Sequence, residues 1–253
     1  AGRCGTGPRG PSCCRARERA QNRAMVIYGR NAVREALRGR RTVSRVWATK
    51  NALREPWLKD TRAEVVAAAA EEIERRCGSP GHQGLCAQVS AFVYSDPASL
   101  IASSPGVVLA LDQIQDPQNL GAICRIAECG GVRGVVIPER RAAEVTAAVC
   151  EASAGAVEHL PVARVRNLAD FLAEAKAAGM WCYGAEAGSN LAYDALEYGD
   201  AVILVLGSEG KGLRPRVAAM CDARVSIPLR GRIRSLNVSA AAAVLVYAAT
   251  RGD

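Results

Sequence analysis

Histidine is nearly absent from this chain, which holds only His82 and His159, and none of its ten cysteines is paired as Cys-x-x-Cys. Structural zinc sites draw on closely spaced Cys and His, so no resident metal is expected. Long apolar runs are missing too: no stretch approaches the roughly 18 to 20 residues that a membrane span needs. With 49% apolar residues and no such run, the chain reads as a soluble globular protein. No secretion signal precedes Asn237-Val238-Ser239, so that sequon carries no weight as a glycosylation site. Cys124, Cys150 and Cys182 lie inside apolar runs, where a reduced thiol acts as a small hydrophobe. A reducing, cytoplasmic setting is expected.

Phosphate-binding signatures are lacking where they would count. Gly5-Thr6-Gly7-Pro8-Arg9-Gly10 spells a dinucleotide fingerprint, but no strand pattern precedes it and no helical pattern follows closely. Lys211 is followed by Gly212 rather than by Ser or Thr, which rules out a phosphate loop there.

What is present is a length of 253 residues, enough for one large or two ordinary domains. The formal net charge of +8 is unevenly spread, with six Arg against one Glu in residues 1–24. Residues 106–253 carry fifteen basic and sixteen acidic side chains. Basicity therefore belongs to the N-terminal part, and Arg30 to Arg62 is dense enough in Arg and Lys to suggest a phosphate-facing surface. A solvated helix face accounts for the same charge.

Residues 1–24 show no hydrophobic periodicity and read as a disordered extension ahead of a natural start at Met25. A compact α/β unit follows over residues 25–95. Asn31–Leu37 has helical spacing, Val43–Ala48 reads as a strand, Arg62–Arg76 as a strong helix former ending before Gly78, and Leu85–Tyr94 as an alternating strand. Residues 96–105 carry the turn and breaker residues of a linker. From 106 to 253, strand-like runs at Val107–Leu111, Gly134–Ile137, Trp181–Ala185, Ala201–Leu206 and Val225–Leu229 alternate with helical segments. Such alternation implies a mostly parallel sheet covered by helices, with ligands bound beyond the carboxyl ends of the strands.

Three loops follow those strands. In Asp116-Pro117-Gln118-Asn119-Leu120-Gly121-Ala122-Ile123-Cys124-Arg125, Pro117 stops the strand, Asn119 can cap the helix, and Arg125 falls on another face than the apolar stripe. In Leu206-Gly207-Ser208-Glu209-Gly210, a glycine-rich turn lets backbone approach a ligand closely, and Glu209 is poised for hydrogen bonding; an ordinary tight turn is the plain alternative. In the third, Ile227-Pro228 leads to Ser235-Leu236-Asn237-Val238-Ser239, a polar pair opening an otherwise apolar helix. Ser235 and Asn237 either cap that helix or bind something.

In this order, Asn-x-Gly-x-x-x-Arg, then Gly-Ser-Glu-Gly, then Ile-Pro followed by Ser-Leu-Asn-Val-Ser closely resemble the three motifs of the SpoU, or TrmH-type, branch of the SPOUT RNA methyltransferases. Upstream, Ile27-Tyr28-Gly29-Arg30-Asn31-Ala32-Val33 and His82-Gln83-Gly84 resemble the L30e-like substrate-binding domain of the bacterial 23S rRNA guanosine-2′-O-methyltransferase group. The resemblance implies an α/β chain in which a small L30e-like domain precedes a SPOUT domain with a parallel sheet and a deep trefoil knot. It implies S-adenosyl-L-methionine as cofactor, with Gly207, Ile227 and Leu236 as its backbone contacts, and a ribose 2′-hydroxyl as methyl acceptor. Asn119, Arg125, Glu209, Ser235 and Asn237 fall in the catalytic cluster. A guanidinium is effectively always protonated, so Arg125 is read as a phosphate anchor rather than a base. A homodimer with a composite site is implied, and 23S rRNA is the favoured substrate. The same chemistry on tRNA or another rRNA nucleotide, including antibiotic-resistance methylation, and a non-catalytic ribosome-binding module are the alternatives. His82 is expected to touch RNA or to order its loop.

Overall fold

A computed structural model describes residues 24–102, 105–233 and 235–250. The expected N-terminal extension, apart from Ala24, lies outside the described residues. The first unit is built from β1 (Met25–Tyr28), α1 (Arg30–Arg38), β2 (Val43–Ala48), β3 (Glu64–Ala67), α2 (Ala70–Cys77) and β4 (Leu85–Val89), in a four-stranded sheet ordered β1-β4-β2-β3. β4 runs antiparallel to both neighbours and β3 pairs in parallel with β2. On one face α1 buries Ala32, Val33 and Ala36. On the other, Ile73 of α2 packs on Trp47 and Cys86, while Arg76 lies 4.4 Å from the centre of the Trp47 ring.

The helix expected over Arg62–Arg76 is half strand. Alanine and glutamate favour a helix locally, but Val65 and Val66 pair with Val46 and Trp47 across the sheet, and β-branched residues suit that pleated surface. Residues 97–102 of the expected linker are helical. Asp96 Oδ1 accepts from Ala98 N at 3.1 Å, opening α3 (Pro97–Ala102), whose Leu100 is buried.

The second unit continues through β5 (Gly106–Asp112), α4 (Pro117–Cys129), β6 (Gly134–Pro138), α5 (Ala147–Ala152), β7 (Val162–Val165), α6 (Leu168–Ala177), β8 (Trp181–Ala185), β9 (Leu191–Ala192), β10 (Ala201–Gly207), α7 (Pro215–Ala218), β11 (Ala223–Ser226) and α8 (Val238–Ala249). Its sheet is ordered β7-β6-β5-β10-β8-β11-β9, and every adjacent pair is parallel. β5 is buried along nearly its whole length, as a parallel strand covered on both faces must be. Helices α4 and α8 cross on one face. Gly130 permits this contact, because a side chain there would strike Val246 at 2.4 Å.

The two units share one apolar core: Ile27, Val33, Val46 and Leu85 belong to the same cluster as Leu109, Ile123, Val149 and Leu245. A buried ion pair crosses the junction, with Arg41 Nε donating to Glu158 Oε2 at 2.9 Å and both side chains almost fully enclosed. Arg41 is thus withdrawn from the basic surface that the composition suggests. Others in that stretch are exposed and paired, including Arg30 with Glu55 and Arg45 with Glu64. Cys86, Cys124 and Cys182 sit in the interior, where burial pushes each thiol up to about 12. Among the described residues, no helix is long and apolar enough to cross a membrane and no cluster of His, Cys, Asp and Glu is arranged to hold a metal ion.

Candidate active site

The sheet changes direction between β5 and β10. From β5 the chain works outward through β6 and β7, and β10 lies on the opposite side of β5. A crevice therefore opens above the carboxyl ends of these two strands, where Asp112 and Gly207 stand in register.

Pro117 occupies the first turn of α4, and its missing N–H costs nothing there. The cap consequently falls on Asp116, whose side chain accepts from Gln118 N at 3.0 Å, and not on Asn119 as expected. Asn119 is turned inward and 8% exposed. The helix advances about 100° per residue, so Arg125, six positions on, emerges about 240° round the axis.

The second loop folds back on itself. Gly212 N donates to Ser208 O at 2.9 Å, and a Cβ on Gly207 would lie 2.2 Å from the carbonyl carbon of Gly212. Only glycine admits that approach, and the resulting turn holds Glu209 out over the crevice. The base of the loop is fixed by Asp112, a carboxylate fully buried at the end of β5. It accepts from Arg214 Nε at 2.7 Å and from Arg214 N at 2.8 Å. A buried carboxylate is costly unless paired in this way. The role of Asp112 was missed in the sequence, although an acid closing an apolar strand that is buried on both faces demands a partner.

The third loop brings Asn237 to the start of α8. Its Oδ1 accepts from Ser239 N at 2.8 Å, making it the N-cap. Its Nδ2 donates to Glu209 Oε1 at 3.0 Å and to Asn119 Oδ1 at 2.9 Å. Asn119 Nδ2 completes the ring by donating to the same Glu209 oxygen at 2.9 Å. Capping and site-building are thus one arrangement: the oxygen of Asn237 serves the helix and its nitrogen serves the crevice.

Glu209 of this ring lines two cavities. One, of about 310 Å3, is lined chiefly by apolar groups and backbone, including Leu206, Gly207, Ile227, Leu236 and Leu245, with Ser235 at its edge. The other, of about 260 Å3, is lined by Gln113, Gln115, Asp116, Asn119 and Lys211 among others. Ser208, Glu209 and Val238 line both. Of the eight residues singled out in the sequence, seven therefore gather here, with Ser235 and Leu236 exposed. Arg125 does not. It opens into a third cavity, beside the N-terminal unit. His82 is buried and its Nδ1 accepts from Gly84 N at 2.9 Å, which gives it a loop-ordering role.

Comparison with known proteins agrees with this architecture. Residues 106–247 match the SpoU rRNA Methylase family, and residues 26–95 match a domain described as RNA 2'-O ribose methyltransferase substrate binding. The chain is 39% identical over 243 residues to the uncharacterized tRNA/rRNA methyltransferase slr0955 of Synechocystis sp., covering 91% of this chain but only 63% of that longer protein. It is 36% identical over 236 residues to a Bacillus subtilis protein provisionally named TrmH family tRNA/rRNA methyltransferase YacO, covering 87% of this chain and 93% of the relative. In fold it superposes on the SpoU methyltransferase AviRb of Streptomyces viridochromogenes, solved in complex with the cofactor AdoMet. The TM-score is 0.76 at 24% identity, over 93% of this chain and 92% of that one.

Proposed function

Because the chain belongs to the SpoU methylase family of RNA methyltransferases, we propose that it moves a methyl group from S-adenosylmethionine to a ribose 2′-hydroxyl of RNA, with a guanosine of 23S rRNA as the favoured target. The observation that carries this reading is the Asn119–Glu209–Asn237 ring, whose Glu209 lines both an apolar and a polar cavity.

The residues fit the cofactor. An apolar cleft with backbone donors and acceptors at Gly207, Ile227 and Leu236 suits an adenosyl group, and the Gly207 turn lets backbone come close without a side chain in the way. When bound, S-adenosylmethionine supplies an activated methyl on a sulfonium, so the protein needs no strong nucleophile of its own. Its task is to orient the acceptor hydroxyl and receive its proton. Glu209 Oε1 is occupied by two amide donors, which fixes the carboxylate while its second oxygen takes no hydrogen bond among the described residues. We assign that oxygen to the hydroxyl proton. Lys211 and the amides of Gln113 and Gln115, across the polar cavity, are placed for ribose and phosphate oxygens. Ser235, exposed at the mouth, is assigned to the acceptor side, and Arg125 to a phosphate. A homodimer and a knotted C-terminal segment belong to the same proposal.

The match of residues 26–95 to a substrate-binding domain of 2'-O ribose methyltransferases supports the ribose over the base as acceptor. Incubating the protein with methyl-labelled S-adenosylmethionine and, separately, purified 23S rRNA and tRNA tests the substrate. Label in 23S rRNA is expected. Label confined to tRNA would move the substrate to the alternative, and cofactor binding with no transfer to either would favour a non-catalytic ribosome-binding module.

A further inference from the structure

The third cavity, of about 300 Å3, lies where the two units meet. Arg30, Asn31 and Gln83 enter it from the first unit, and Gln118, Arg125 and Glu151 from the second. Apart from the half-buried Glu151 these side chains are exposed. Of the two arginines and three carboxamide residues that line this cleft, the methyl-transfer reading above uses only Arg125.

The backbone around it is unusual. Gln83 and Ala154 both have φ of +52°, a conformation uncommon for residues with a side chain and concentrated at functional sites. Gln83 Oε1 accepts from Arg30 N at 3.1 Å, which ties the two loops of the first unit together and leaves the Gln83 NH2 group to donate elsewhere. Gly29, at φ +93°, brings the chain against Glu151, whose Cγ would lie 3.3 Å from a side chain there.

We propose that this cleft binds a nucleotide of the substrate RNA next to the one that is methylated. The inference rests on the methyltransferase reading above. Arg125 and Arg30 take its phosphate, and the amides of Asn31, Gln83 and Gln118 read its base edge. Carboxamides carry both donor and acceptor and so match the Watson–Crick edge of an unstacked base, while guanidiniums suit phosphate oxygens. Arg30 is exposed and its guanidinium is 3.0 Å from the half-buried Glu55, so a phosphate would share that guanidinium with one carboxylate. Position supports the same ligand. Gln118 and Asn119 are consecutive in the first turn of α4, one facing this cleft and the other the methyl-transfer ring. An RNA strand crossing the helix start therefore places neighbouring nucleotides on its two sides.

Transcripts of 23S rRNA and tRNA containing 4-thiouridine, irradiated on the unaltered protein, test this directly. Cross-linked peptides covering residues 29–32, 83 or 118–125, joined within two nucleotides of the methylated position, are expected. Cross-links confined to other segments, on a transcript that is methylated, would overturn the site. The paired variant Asn31→Ala/Gln118→Ala should lower kcat/KM for RNA tenfold or more, from two lost hydrogen bonds, with cofactor affinity unchanged. An unchanged kcat/KM in that folded variant would refute the proposal. Failure of the unaltered protein to methylate any RNA would instead remove the methyltransferase reading, and this site with it.

Discussion

Replacing Asn237 by Asp separates the two jobs that this side chain performs. Asp caps a helix as well as Asn does, so the bond from Ser239 N to Oδ1, 2.8 Å long, survives. The Nδ2 group is lost, and with it the hydrogen bonds to Asn119 Oδ1 and Glu209 Oε1. A neutral hydrogen bond is worth about 1 kcal/mol and one to a charged group about 1.5 to 3. A carboxylate oxygen would also stand about where Nδ2 does, 3.0 Å from Glu209 Oε1. At the high dielectric of an exposed position that repulsion adds roughly 1.4 kcal/mol. These contributions overlap, so a total loss of about 3 kcal/mol at pH 8 is expected. Two carboxylates this close share a proton at a pH where a lone one would not. The folded variant therefore binds a proton more tightly than the unfolded chain, and stability returns as pH falls. Urea unfolding at pH 8 and pH 5 measures this: the midpoint should drop by about 1 M at pH 8 and recover in part at pH 5. Asn237→Ala should be destabilised without that pH dependence. An Asp variant matching the unaltered protein at both pH values would reduce Asn237 to a cap and refute the ring.

Three further outcomes follow from the geometry. Gly207→Ala puts a methyl group 2.2 Å from the Gly212 carbonyl carbon. The loop must open, and calorimetry should show cofactor affinity reduced by tenfold or more. Removing one member of the Arg41–Glu158 pair leaves a buried charge without its partner, which costs about 3 to 5 kcal/mol. Arg41→Met/Glu158→Leu together should cost much less in thermal melts. Iodoacetamide at pH 8, followed by peptide mass analysis, should label the exposed Cys129 within minutes. It should spare Cys86, Cys124 and Cys182, whose thiols burial pushes up to about 12, until denaturant is added.

Much of the site was legible because parallel sheets impose a simple grammar: an apolar strand, a breaker, then a loop at the ligand end. Gly207, Pro117 and Pro228 mark those breaks in the sequence. That Asn119, Glu209 and Asn237 meet was not legible from spacing, since 90 and 118 residues separate the bonded partners; the resemblance alone grouped them. Strands β7 and β9 escaped notice because the first is four residues behind a proline and the second only two. The strand Glu64–Ala67 was hidden by helix-favouring alanines that tertiary pairing overrides. Charge was the least reliable guide, because an Arg buried against Glu158 looks in sequence like one that faces phosphate. The core shared by the two units was equally invisible to composition, and it makes the N-terminal unit part of the support of the larger sheet.

The chemistry at the ring is tested most directly by digesting methyl-labelled RNA product with alkali. Alkaline cleavage needs a free 2′-hydroxyl, so a ribose methyl protects the adjacent phosphodiester. Label recovered in an alkali-resistant dinucleotide, and lost with Glu209→Gln, is the predicted result. Label recovered in mononucleotides would place the methyl on a base and contradict the account.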